Sequence, residues 1–141
     1  GMSWVWLGGH KFFKVDGVGD PGGANTSFHV HVGSTGCYNT TGNKKNAPSF
    51  ECAYPNTPRI CLSNFDMENQ KVTIDLEALL ADSDVTVNNG GAAGCMSGNS
   101  DPECPAILPR LGINFIQDDG ANPVTPYPAI DPQPVFGAAE M

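Results

Sequence analysis

Hydrophobic and polar positions alternate most cleanly over residues 27–32 (SFHVHV). That pattern sets Phe28, Val30 and Val32 on one face of a strand and His29 and His31 on the other. Residues 4–7 and 11–15 are rich in aromatic and β-branched side chains and predict two more strands, with Gly8-Gly9 as a turn or bulge between them. The run 16–24 (DGVGDPGGA) consists of turn formers, and 39–49 (NTTGNKKNAPS) reads as a polar loop. Further strands are expected over 59–62 and 71–74. Residues 76–81 (LEALLA) carry high helix propensity over less than two turns. Ser100-Asp101-Pro102 supplies a cap residue, an acid and an early proline for a short helix over 102–108, with Gly112 as its stop. Residues 114–141 hold five of the 12 prolines and predict an extended tail along the surface. Short strands separated by Gly, Pro and Asn turns predict an all-β fold. It should be β-sandwich-like, with long loops and one or two short helices, in a single domain over residues 1–141.

Composition narrows the partners. The 141 residues carry 7 Lys+Arg and 15 Asp+Glu, a net charge of −8. Phosphate binding needs a basic patch, and the only adjacent basic pair is Lys44-Lys45, which argues against nucleic acid. No apolar run approaches the ~18–20 residues of a membrane-spanning helix.

Five cysteines stand at 37, 52, 61, 95 and 104, and no two form Cys-x-x-Cys, so zinc-ribbon and thioredoxin-like readings fail. Cys37 and Cys52 flank one polar loop, and Cys95 and Cys104 flank another. Two locally closed loops suit a disulfide framework in an oxidising compartment, although four paired cysteines allow three connectivities. Cys61 is then left over, in the apolar stretch Ile60-Cys61-Leu62, and is expected to pack as a small hydrophobe.

Catalytic signatures are absent. Gly33-Ser34-Thr35-Gly36 is not a nucleophile elbow, and Gly36 to Lys44 lacks the Gly-Lys-Ser/Thr ending of a phosphate loop. Asp16 and Asp20 lack EF-hand spacing and read as a solvated turn. The chain is therefore expected not to be an enzyme. The histidines are more informative: His10, His29 and His31 all fall in the first quarter, near Trp4 and Trp6. Residues two apart on a strand share a face roughly 6–7 Å apart, close enough for two imidazoles to meet at one ion. Neutral imidazole suits copper or zinc.

The run 2–12 (MSWVWLGGHKF) resembles the Met-x-Trp-x-Trp-x-x-Gly-Tyr-Lys-Phe segment of the MbnP-like "metallo-mystery pair, four-Cys motif" proteins. Residues 31–37 (HVGSTGC) are similar to that family's His-Leu-Gly-Ser-Thr-Gly-Cys. Pro55-Asn56, Phe65-Asp66, Asp75-Leu76, 94–97 (GCMS), Asp101-Pro102-x-Cys104 and Leu111-Gly112 follow in the family's order. The resemblance spans roughly residues 2–112. It implies an exported bacterial protein, periplasmic or extracellular, often encoded beside a MauG-like di-haem partner. It also implies copper binding, with a tryptophan oxidised to kynurenine at the metal. The four family cysteines carry over to Cys37, Cys52, Cys95 and Cys104, which favours the pairs 37–52 and 95–104. The family histidine carries over to His31, and the tryptophan pair to Trp4 and Trp6. A copper site would then use His31, with His29 or His10 beside it and Trp4 or Trp6 at its border. Position 10 is His where the family has an aromatic residue, and the family's upstream Asn-His-x-Asp stretch has no counterpart here. The chain is accordingly expected to lack an N-terminal part of its natural domain, and a second copy is expected to cover the exposed sheet edge as a homodimer. The alternative is a disulfide-stabilised structural or interaction module that holds no metal.

Overall fold

The structure is a computed structural model that describes residues 3–4, 9–20, 26–38, 51–118, 120 and 124–141. In chain order its elements are β1 (Ser3–Trp4), β2 (Gly9–Gly19), β3 (Thr26–Gly33), β4 (Thr35–Tyr38), β5 (Glu51–Tyr54) and β6 (Gln70–Ile74). Then come α1 (Leu76–Leu80), β7 (Gly94–Cys95), α2 (Cys104–Ile107), a 3-10 turn (Leu108–Leu111), β8 (Phe115–Gln117), β9 (Thr125–Tyr127) and β10 (Phe136–Glu140). The fold is all-β and disulfide-stapled, as the sequence predicts.

The principal sheet has the order β1-β2-β3-β7, with β2 antiparallel to β3 and β7 parallel to it. Its inner face carries Phe28, Val30 and Val32, each at most 5 % exposed, which are the apolar positions of the SFHVHV alternation. Against them pack Leu79 of α1, Ile107 of α2, Leu108 and Leu111 of the 3-10 turn, and Ile113, Phe115 and Val135. Phe13 of β2 meets Phe136 edge-to-face at 5.8 Å, so the β6–β10 ladder joins the same second layer. The arrangement is sandwich-like, but the second layer is made of helical turns and two-stranded ladders.

Both disulfides, Cys37–Cys52 and Cys95–Cys104, are formed. The first joins opposed residues of the β4–β5 ladder. The second joins β7 to the first residue of α2, with both half-cystines fully buried in the core. α1 starts where Asp75 Oδ1 accepts from Ala78 N at 2.9 Å. Arg110 ties the 3-10 turn back to α1, donating to the Ala78 carbonyl at 3.0 Å and pairing with Asp82.

Several local expectations change. The strand expected to end at Val15 continues to Gly19, because Asp16–Gly19 pair with Thr26–His29; ladder pairing overrides the turn preference of Asp and Gly. No strand forms over 59–62: the segment follows Pro55 and Pro58, and among the described residues no strand pairs with it. Cys61 is free as expected but exposed rather than packed. The helix expected over 102–108 starts at Cys104 and tightens into the 3-10 turn around Pro109, and Gly112 ends it in the left-handed region at φ 77°. Ser100 does not cap it; Asp101 Oδ1 accepts from Glu103 N instead, at 3.1 Å. The proline-rich end is not simply laid on the surface. It contributes β8, β9 and β10 and buries Phe115 and Val135.

Candidate metal centre

The β2–β3 ladder sets Asp16 opposite His29 and Lys14 opposite His31. Strand alternation then puts all four on one face, with Val15 and Val30 between them directed to the core. On that face the Asp16 Oδ1 lies 2.8 Å from His29 Nδ1 and 2.6 Å from His31 Nε2. The two rings sit 5.3 Å apart, centroid to centroid, and Lys14 Nζ pairs with Asp16 Oδ2. One ligand atom from each of Asp16, His29 and His31 falls within 4.8 Å of the others. Among the described residues no other group of three His, Cys, Asp or Glu does so.

The three differ in exposure: Asp16 is exposed, His29 half-buried and His31 buried. Burial, reinforced by the positive charges of Lys11 and Lys14 and by neighbouring His29, lowers the His31 pKa from 6.5 to about 4. The contact with Asp16 acts in the opposite sense, but Lys14 shares that carboxylate, and burial prevails. His31 is therefore a neutral imidazole at physiological pH, the form that ligates metals. Facing a carboxylate, it donates from Nε2. Coordination through that nitrogen requires the proton to leave or to move to Nδ1.

Behind the site, the strand carrying both histidines is held from the β7 side. The His29 N–H donates to the Ala93 carbonyl at 3.2 Å, and a Cβ on Gly94 would lie 2.0 Å from the His29 carbonyl oxygen. The Ser97 hydroxyl donates to the His31 carbonyl at 2.9 Å and accepts from Gly33 N at 3.1 Å. Such backbone anchoring fixes where the ligand side chains start.

Of the residues predicted for the site, the structure brings His29 and His31 together. Trp4 lies in β1, paired with Gly9, and His10 lies in β2, paired with Ser3; their side chains lie outside the described residues, as does Trp6 altogether. Asp16 was not expected as their partner, since it read as part of a turn. The signal that finds it is the antiparallel pairing of Val15 with Val30, which carries Asp16 to His29 once the strand is extended.

A family model described as MbnP matches residues 1–97. Among solved structures, MbnP from Methylosinus trichosporium matches at 35% sequence identity with a TM-score of 0.71, over 99% of this chain and 50% of that one. The chain thus spans about half the length of that solved relative. None of the curated proteins compared with the chain matches it.

Proposed function

The chain belongs to the MbnP family, and from that premise we propose that it is an exported, non-catalytic copper-handling protein whose ion is held by His29, His31 and Asp16. The observation that carries this reading is the convergence of two imidazole nitrogens and a carboxylate oxygen within 4.8 Å on one sheet face. Two imidazoles with one carboxylate form a donor set that copper accepts readily and that hard cations such as magnesium do not favour. His29 would bind through Nδ1 and His31 through Nε2, the nitrogens that now face Asp16. Lys14, paired with Asp16, balances the carboxylate when no ion is bound.

Family membership also supports a MauG-like di-haem partner, which would oxidise Trp4 or Trp6 to kynurenine beside the metal, and a periplasmic or extracellular location. Expressed without that partner, the chain should keep both tryptophans unmodified, as peptide mass spectrometry would read. One observation favours the alternative of a metal-free module: Asp16 already accepts from both imidazoles and from Lys14, so the cluster is satisfied by its own groups. Copper titration into wild type and His31→Ala, followed as bound metal, separates the two readings. Uptake by wild type and loss in the variant is expected. Equal uptake by both would remove His31 from the site, and uptake by neither would leave the structural module.

A further inference from the structure

The Asp16 carboxylate faces two ways. Its Oδ1 lies 2.8 Å from His29 Nδ1 and 2.6 Å from His31 Nε2, while its Oδ2 pairs with the Lys14 ammonium. The register that sets Asp16 opposite His29 also sets Lys14 opposite His31, so the ammonium rises from the same sheet face as the three candidate ligands. The Lys14 side chain is 28 % exposed and that of Asp16 is 39 % exposed, so the pair is partly withdrawn from water. A fixed cation thus stands at the second oxygen of the carboxylate whose first oxygen meets both imidazoles.

Two effects of that ammonium oppose each other. It steadies the carboxylate, which favours metal binding, and it neutralises the anionic donor of the set, which disfavours it. The first effect is duplicated: both imidazoles already fix Oδ1, and Asp16 is held in the β2–β3 ladder. A partly exposed ion pair adds little to such positioning. The second effect has no counterweight among these groups. Asp16 and Lys14 together carry no net charge. The charge of Lys14 also reaches His31, where burial is the largest influence against a positive charge and Lys11 and Lys14 follow it. Neutralisation therefore outweighs steadying.

We propose that Lys14 is a built-in competitor of the metal ion, its ammonium occupying a cation's place at Asp16 and giving way as copper binds. This inference rests on the copper reading of Asp16, His29 and His31 given above. The ammonium sits on a flexible four-carbon stem and can swing away without moving the ladder. As the ion leaves, it returns to Oδ2, so the carboxylate keeps a positive partner in both states. The consequence is a weaker and more readily reversed hold on copper than the donor set alone would give, which suits a protein that hands its ion on.

Chelator competition with copper(II) at about pH 7.5, on wild type, Lys14→Gln and Lys14→Arg, tests the assignment. Lys14→Gln removes the charge and keeps much of the side chain. It should bind copper roughly 3–10-fold more tightly, the scale of one partly exposed charge interaction. Lys14→Arg keeps the charge and should bind like wild type or more weakly, because guanidinium pairs with a carboxylate through two N–H groups. Raising salt from about 0.05 M to about 0.5 M should narrow the gap between Lys14→Gln and wild type, since screening acts on charge and not on packing. Equal or weaker binding by Lys14→Gln would overturn the proposal and leave the copper site standing. So would a gap that salt leaves unchanged, which would assign the effect to packing at position 14. Copper uptake by none of the three proteins would overturn the copper site and this inference with it.

Discussion

Asp16 stands directly across the β2–β3 ladder from His29, with its Oδ1 2.8 Å from His29 Nδ1, and the same oxygen reaches His31 two residues further along β3. One carboxylate oxygen therefore sits between two imidazoles on a rigid two-stranded platform. Positions fixed by ladder register are held more closely than positions on a loop, which is what a ligand set requires.

Asp16→Asn should weaken copper binding by roughly 10–100-fold, the cost typical of removing a group that orients or ligates metal-binding histidines. The neutral amide removes the anionic donor and leaves Lys14 without its ion-pair partner. Competition against a chromogenic chelator would measure the change. An unchanged affinity would place the ion away from β2.

His31 should titrate near pH 4 in the folded protein, against about 6.5 in the unfolded chain. The folded state resists protonation, so between these values the unfolded chain binds more protons. The stability that neutral His31 contributes is present above about pH 6.5 and is lost progressively as pH falls towards about 4. Proton NMR of the ring Cε1–H in the metal-free protein reads the pKa directly. A midpoint near or above 6.5 would mean that the Asp16 ion pair outweighs burial. With a pKa near 4, His31 itself would release copper only in distinctly acid solution.

The alternation of SFHVHV made the two faces of β3 legible, and with them the pair His29 and His31. The locally flanked loops together with the family's four cysteines made both disulfides legible, and Gly112 marked a helix end that the structure keeps. What escaped were features set by distant partners. Asp16–Gly19 look like a turn until Thr26–His29 pair with them, and Asp16 becomes a site residue only through that register. Ile60 and Leu62 have strand-like composition, but no strand among the described residues pairs with them. Val135 lies among prolines that suggested surface, yet its carbonyl accepts from Asp75 N at 2.8 Å and its side chain fills the core.

Gly94→Ala should be among the most damaging single changes. Gly94 has φ +80°, and an added Cβ would fall 2.0 Å from the His29 carbonyl oxygen and 2.6 Å from its nitrogen, both backbone atoms that cannot yield. Left-handed strain alone costs roughly 1–2 kcal/mol, and forced separation of β7 from β3 adds to it. A loss of about 3 kcal/mol or more in denaturant unfolding is expected. A loss under about 1 kcal/mol would mean that β7 does not pair closely with His29.

Ser97 couples the core to the site, and two substitutions separate its roles. It is fully buried at φ +62°, its hydroxyl bridging Gly33 N and the His31 carbonyl, while its own carbonyl accepts from Thr35 Oγ1 at 3.0 Å and Asn56 Nδ2 at 3.3 Å. Ser97→Ala removes the bridge, takes a partner from two backbone groups of β3 and keeps the strained backbone, for a loss of roughly 1–3 kcal/mol. Ser97→Gly removes the same bridge but relieves the left-handed strain, so it should be the more stable of the two by about 1 kcal/mol. Copper affinity should fall in both by a similar factor, because both free the His31 carbonyl from its anchor. Thermal unfolding of the two variants, set beside their copper affinities, makes the distinction. Loss of affinity that tracks stability, worse in Ala than in Gly, would mean that Ser97 serves the fold alone.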